Sequence, residues 1–365
     1  MPISSPQRLQ FPPRSLFFTT LKQRVDAYLS EPGRRPTGNW RLFAKAMLAL
    51  AMMFGGYAWL VWGASGWFEG ALAAFVTVQG MVMVAFGVMH DGAHGSMSRR
   101  RWVNWLGGAT MDILGSSSML WRQKHNMLHH TYTNVDGRDD DIALGSLMRL
   151  SPSQPCRPWH RLQHWYAPLL YSLLSLYLFV FSDFQKVFSG KIGETPLQPR
   201  QWWELPYFFG AKLLYIAYAL VLPMWFHPPW LVLVYFIAMH LLFGFTLSLV
   251  FQLAHTVEGA SFPQPDQDGK MPYEWAEHQL LTTANFAPGS RLVNFYTGGL
   301  NHQVEHHLFH KVSHVHYPAI SRIVRDTCRE FGVAYQSFGS VGAAVAAHFR
   351  FLRTMGLPQP AQQGN

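Results

Sequence analysis

"GALAAFVTVQGMVMVAFGVMHDGAH", residues 70–94, is the stretch on which the fold turns. Gly70–Met89 carries no charge, and His90, Asp91 and His94 follow it without a break. A bilayer core is about 30 Å thick, so a helix that crosses it needs roughly 20 mainly apolar residues. The run therefore reads as a membrane span. His90 and His94 stand four apart at its end and share one helical face. Neutral imidazole is the commonest metal ligand among side chains, and two on adjacent turns can reach one ion. The stretch thus predicts a membrane helix that ends in a candidate metal pair.

Further apolar runs flank it. "GASGWFE" (63–69) joins Ala46–Trp62 to Gly70–Met89 without a Lys or Arg, which predicts a helical hairpin. Leu205–Phe226, where only Lys212 is charged, and Trp230–Ala254 are joined by "HPP" (227–229). They predict a second hairpin, since neither Pro228 nor Pro229 can continue a helix. Trp165–Ser182 is one more apolar stretch. Composition agrees: charged residues are 13% of 365, against the roughly 25% of soluble domains. Many of the 14 Trp stand beside the apolar runs, where amphipathic rings favour the membrane–water interface. A net charge of +9 raises nucleic acid as a partner, but its placement argues against one. Eight Lys or Arg precede residue 46 (Arg8, Arg14, Lys22, Arg24, Arg34, Arg35, Arg41, Lys45), broken by prolines rather than set on one stripe. That is the pattern of a cytoplasmic flank. The first long apolar run starts too late for a signal peptide and lacks a small-residue cleavage site. Cys156 and Cys328 fit no CxxC pattern and are read as inert.

The other histidines also gather at the ends of these runs. "HNMLHH" (125–130) supplies His125, His129 and His130 after Arg99–Arg101 and an intermediate stretch, Trp102–Trp121. His255 closes the last run. "NHQVEHHLFHKVSHVHYP" (301–318) holds six histidines; read as one helix, it puts His302, His306, His310 and His314 on one face, with Gln303 and His307 alongside. If all the clusters meet, they share one side of the membrane, and an even number of crossings separates His94 from His125 and His130 from His255. Trp102–Trp121 then lies in the interface, and Trp165–Ser182 is interfacial or re-entrant. The expectation is an all-α integral membrane protein with four transmembrane helices in two hairpins. Interfacial helices and a cytoplasmic helical cap complete it, the cap holding a histidine-rich dimetal site. Its segments are a cytoplasmic N-terminal segment (1–45), the first hairpin (46–89), a cytoplasmic and interfacial segment with two histidine clusters (90–164), the interfacial or re-entrant segment (165–204), the second hairpin (205–254), and the cap with its tail (255–365). The first forty residues and the terminal "PQPAQQGN" read as irregular, and there is no internal repeat or barrel-like alternation.

Eight imidazoles, those of His90, His94, His125, His129, His130, His255, His306 and His307, exceed the ordinary coordination of one ion and suit two. Nitrogen-rich ligation accepts zinc, copper or iron, so the chemistry has to choose. A thiolate-poor site beside apolar helices suits iron that activates O₂, because a membrane offers lipid chains with little other reactivity. Asp91, Asn126 and Glu305 sit inside the clusters, where such groups orient imidazoles. Asp139–Asp141 either does likewise or forms a solvated acidic loop. His302 and Gln303 point about 100° apart on a helix. That spacing does not decide which of them faces the metal; the expectation is Gln303 at the metal, directly or through water, with His302 behind it. His310, His314 and His316 are expected outside the ligand set or at the interface, and His160, His164, His227, His240, His278 and His348 are read as structural. Arg99–Arg101, Arg122 and Lys124 either meet an anionic headgroup, a carrier phosphate or an acidic electron donor, or simply mark the cytoplasmic side.

The three clusters resemble the histidine boxes HxxxH, HxxxHH and [HQ]xxHH of the membrane fatty-acid desaturase and hydroxylase superfamily, in order and spacing over roughly residues 44–335. "HNMLHHTYTNVDGRDDDI" and "GGLNHQVEHHLF…HVHYP" are most similar to bacterial and cyanobacterial front-end acyl desaturases, whose third box typically begins with the glutamine matched by Gln303. The resemblance implies two ferrous irons, with O₂ and two external electrons as co-substrates. Two hydrogens would leave adjacent methylenes of an acyl chain carried on CoA, acyl carrier protein or a glycerolipid. It also places a ligand at His255. The HPGG signature of a fused cytochrome b5 domain is missing from this sequence, so a separate carrier such as ferredoxin or cytochrome b5 is expected to bring the electrons. His310 stands where such relatives commonly have proline. Lipid hydroxylase, acetylenase and sphingolipid desaturase are the neighbouring alternatives. A haem-binding membrane electron carrier or an ion-transport path is the alternative of another class. The expected location is a bacterial inner membrane, with termini and active site facing the cytoplasm.

Overall fold

In the computed structural model, which describes residues 9–358, the chain opens with helix α1 (Leu16–Ser30). The Ser15 hydroxyl caps it by accepting from the Phe18 amide. Phe17, Phe18, Leu21 and Val25 form its buried face at helical spacing, which corrects the expectation of an irregular first forty residues. The prolines among the basic residues, Pro12, Pro13, Pro32 and Pro36, all stand outside the helix. The "PQPAQQGN" tail lies, except for Pro358, outside the described residues.

Helices α2 (Trp40–Gly63) and α3 (Trp67–His94) form the first hairpin. Gly80 sets their spacing: a Cβ there would lie 2.3 Å from the Met53 backbone nitrogen, so only glycine admits so close a crossing. Helix α4 (Arg101–Ile113) crosses the end of α3, where a Cβ on Gly92 would meet the Gly108 nitrogen at 2.5 Å. A winding segment, 118–132, forms α5. It is followed by α6 (Pro158–Ser172) and α7 (Leu174–Ser189), bent by 58° at their junction. A short ladder pairs β1 (Lys191–Ile192) with β2 (Thr195–Pro196). Helices α8 (Glu204–Met224) and α9 (Pro229–His255) form the second hairpin. Beyond it lie α10 (Trp275–Thr282), β3 (Asn285–Phe286), α11 (Arg291–Tyr296), α12 (Gln303–Leu308), α13 (Tyr317–Phe331), β4 (Ser337–Phe338), parallel to β3, and α14 (Val341–Met355).

Among the described residues, α2, α3, α8 and α9 are the single helices long and apolar enough to cross a membrane; the bent pair α6–α7 passes the same test only when counted as one span. Their outward faces carry exposed Phe54, Phe75, Leu213, Leu214, Val234 and Ile237, a surface that matches lipid tails. Exposed Trp62, Trp67, Trp225 and Trp230 mark the helix ends as interfacial. The chain is thus an all-α membrane protein with four candidate spans. The cap has its own core, in which α1 packs against α12 and α13 through Leu21, Val25, Val304, Leu308, Ile320 and Val324. That packing, with α5 and α10, brings the histidine clusters together.

Candidate metal centre

His90 and His94 close α3, just past a π-wound stretch, Val84–Met89. His125, His129 and His130 ride α5, whose 122–129 portion is also π-wound. The winding matters. In an α-helix, residues five apart diverge by about 140°, whereas the wider π turn brings them back toward one face. His130 Nε2 lies 3.2 Å from His125 Nε2, while the His129 ring stacks on His125 at 5.1 Å. His255 ends α9, and α12 carries His306 and His307.

Ring nitrogens of these eight residues converge. One from each of His90, His94, His125 and His306 lies within 4.8 Å of the others; the same holds for His129, His255 and His307. A third grouping, His130, His306 and His307, joins the two. Burial is deep, from 0% exposed at His306 and His307 to 8% at His94. Several Nδ1 atoms are engaged from outside. His129 Nδ1 is 3.0 Å from Asp139, His307 Nδ1 2.7 Å from the Gln279 carbonyl oxygen, His306 Nδ1 3.1 Å from the Tyr317 hydroxyl, and His255 Nδ1 3.2 Å from the Thr282 carbonyl. The opposite nitrogens, Nε2 of His129, His306 and His307, are buried with no hydrogen-bond partner, as are His90 Nε2, His130 Nδ1 and both nitrogens of His94. Unpaired buried polar atoms are costly, and lone pairs aimed at common points are what a metal ion satisfies. The donor set therefore fits a pair of adjacent divalent ions.

Electrostatics agree. Burial first, then neighbouring imidazoles, hold His125, His130, His306 and His307 well below the usual histidine range, in the neutral form that binds metal. His129 differs: burial opposes its charge, but Asp139 and Asp141 together outweigh it and raise the ring's basicity. Asp141 reaches the Nδ1 side of His129 at 3.3 Å and pairs with Lys124 at 2.7 Å, so it supports His129 from behind. Burial disfavours the Lys124 charge, yet Asp141 and Asp140 push its pKa up. The acidic run is thus engaged rather than a free solvated loop.

The other expected residues divide. Gln303 is at the centre, its amide nitrogen 3.1 Å from His255 Nε2. His302 belongs to none of the nitrogen groups and lies 3.6 Å from Glu305, whose carboxylate accepts from Asn285 and Tyr335. Asp91 turns away, to Ser313 and His314 Nδ1, both at 2.9 Å. Asn126 donates to the Ala93 carbonyl, tying α5 to α3. Residues 301–318 are not one helix: α12 ends at Leu308, and only His306 and His307 project from it into the nitrogen groups. His314 and His316 stand in a later short turn, His316 near the Tyr28 hydroxyl. His160, His164, His227, His240, His278 and His348 lie outside the groups. His240, deep in α9, has both nitrogens engaged, by Ser175 at 2.9 Å and Tyr215 at 2.7 Å, leaving no free lone pair for haem or a transported ion. Gln279, Tyr317 and the Thr282 carbonyl escaped sequence reasoning; only Tyr317 had a signal, its place in the histidine-rich stretch.

A largely apolar cavity of about 610 Å³ lies between the hairpins, lined by Met53, Tyr57, Met81, Leu114, Tyr215 and Met239 among others. Met81 precedes His90 by nine residues of helix, roughly 13 Å along α3.

The comparisons point one way. The family model for fatty acid desaturases matches residues 65–339. The sn-1 linoleoyl-lipid 6-desaturase of Synechocystis sp. is 35% identical over 353 residues, covering 96% of this chain and 98% of its own. The enzyme of the same name from Arthrospira platensis is 34% identical, covering 93% of each. The acyl-lipid (8-3)-desaturase of Physcomitrium patens is 37% identical over 94% of this chain and 72% of its own.

Proposed function

The chain belongs to the fatty acid desaturase family, and on that footing we propose that it is a front-end acyl-lipid desaturase with a diiron centre held by His90, His94, His125, His129, His130, His255, His306 and His307. The observation that carries this reading is the convergence of eight deeply buried imidazoles from α3, α5, α9 and α12 into joined nitrogen groups. Gln303 completes the set beside His255, directly or through water. When bound, iron would supply, with O₂ and two external electrons, the oxidising power to remove two hydrogens from adjacent unactivated methylenes.

The chain's own residues do the rest. Gln279 and the Thr282 carbonyl keep a proton on Nδ1 of His307 and His255, and Asp139 does so for His129, so that each Nε2 lone pair faces inward. The cap core seals the centre from water. The cavity between the hairpins takes the methyl end of the acyl chain, while the carboxyl end stays near the interface. Relatives are named for lipid-linked linoleoyl and acyl chains, which favours a glycerolipid substrate and a new double bond on the carboxyl side of an existing one. The basic first forty-five residues favour termini and histidines on the cytoplasmic side, and the Synechocystis and Arthrospira relatives favour a bacterial inner membrane. The hairpins at 46–89 and 205–254 are then the spans, and electrons come from a separate carrier such as ferredoxin or cytochrome b5.

Expression in a bacterial host with a co-expressed ferredoxin and its reductase, followed by mass spectrometry that locates double bonds, tests the reading. The parent should give a new alkene, and His306→Ala should abolish it and lower bound iron. A metal-loaded parent that yields only hydroxylated chains, or no change in a lipid pool containing linoleoyl lipids, would overturn it.

A further inference from the structure

The eight imidazoles are sealed from solvent, none more than 8% exposed. An ion that occupies such a centre needs an entry route. One imidazole in contact with the cluster is neither in the proposed ligand set nor fully enclosed. His310 follows α12 by two residues and is half-buried. Its ring centroid lies 5.3 Å from that of His94 and 4.9 Å from that of His130, and those two are 4.8 Å apart. His94 belongs to the four-histidine group, and His130 to the grouping that joins both halves of the centre.

The nitrogens make the arrangement chemical rather than merely packed. His310 Nδ1 is buried and its ring meets the His307 backbone, while His130 Nδ1 and both nitrogens of His94 are buried without a hydrogen-bond partner. A leucine would fill this place without burying a polar nitrogen, so a histidine costs stability here unless something uses its lone pair. It is not one of the tight groups, whose nitrogens lie within 4.8 Å of one another. Its position is therefore that of a ligand met in passing.

We propose that His310 is the loading ligand of the centre: its half-buried ring takes a divalent cation from solvent, hands it to His94 and His130, and serves the same path for release. The inference rests on reading the eight histidines as metal ligands. Each handover is a ligand exchange. A bond from the cation to water breaks as the His310 bond forms, and that bond breaks as a nitrogen of His94 or His130 replaces it; no electron moves. The exposed Lys311 beside it opposes a cation, but its charge is solvent-screened. A contact made only in transit lowers the barrier to entry and exit alike and leaves the equilibrium unchanged.

The test uses the full chain in detergent, stripped of metal, with Co²⁺ as the probe. Uptake is followed by visible absorbance after rapid mixing, and release by transfer to excess chelator. His310→Leu should slow uptake and release alike, by about tenfold, with the parent's final spectrum, stoichiometry and Kd. His310→Cys keeps a donor atom and should recover most of the rate. Unchanged rates would overturn the proposal. So would a changed Kd or stoichiometry, which would make His310 a resident ligand. If the parent itself takes up fewer than two Co²⁺ per chain, the metal-centre reading fails first.

Discussion

At the scale of single residues, a histidine becomes a ligand through what holds its other nitrogen. Asp139, Gln279 and Tyr317 contact Nδ1 of His129, His307 and His306, and each leaves Nε2 free. Losing such a partner typically costs 10–100-fold in metal affinity. Asp139→Asn and Gln279→Leu should each weaken binding by about that factor in a chelator competition, with stoichiometry intact at saturation. An unchanged affinity in both would mean that the rings are held by packing alone. The ligand candidates were legible in the sequence because histidine is rare and three clusters stood at the ends of apolar runs. Gln279 was not, since one amide in an ordinary amphipathic stretch carries no mark until α10 docks against α12. Asp139 was half legible: its proximity to "HNMLHH" was visible, its bond to His129 was not.

At the scale of elements, two local windings decide the geometry. The π-wound stretch 122–129 lets both members of the His129–His130 doublet approach His125, which an α-helical reading does not provide. The short α12 is the second. His302, His306, His310 and His314 have perfect helical spacing, yet the chain leaves the helix after Leu308 because later residues find better partners elsewhere. The Ser313 amide donates to the Pro36 carbonyl at 2.7 Å, and His314 bonds Asp91. The hairpins follow simpler rules of length and charge, but their closeness depends on small residues. Gly80→Leu would drive a side chain into the Met53 backbone and should cost about 1–3 kcal/mol or more, seen as a lower melting temperature in detergent. Gly55→Ala, with nothing within 4 Å, is the control and should not destabilise. Equal effects would show that the crossing is looser than described.

At the scale of the whole molecule, burying so many neutral imidazoles ties stability to pH. His278, outside the ligand set and fully buried, is held down at about 4 by burial, against a smaller opposing effect of the Thr133 carbonyl. An unfolded histidine titrates near 6.5. Between these values the unfolded chain binds a proton that the folded chain refuses. The stability due to the neutral ring is thus complete above about pH 6.5 and lost as pH falls toward 4, about 3 kcal/mol in all. Melting curves of metal-free protein from pH 7 to 5 should fall more steeply for the parent than for His278→Gln, whose amide nitrogen reaches the Thr133 carbonyl as Nε2 does; parallel slopes would refute this. The sequence by itself determined the membrane class, the two hairpins and the residue types of a nitrogen-rich centre. Length, charge and histidine spacing are local quantities, and the bilayer and metal chemistry act on them directly. Only the tertiary structure decided which nitrogens face one another, that α1 is a helix of the cap, and that His310 meets the cluster while His302 does not. Those outcomes depend on contacts between segments far apart in the chain, where each side chain goes to whichever partner packing brings within reach.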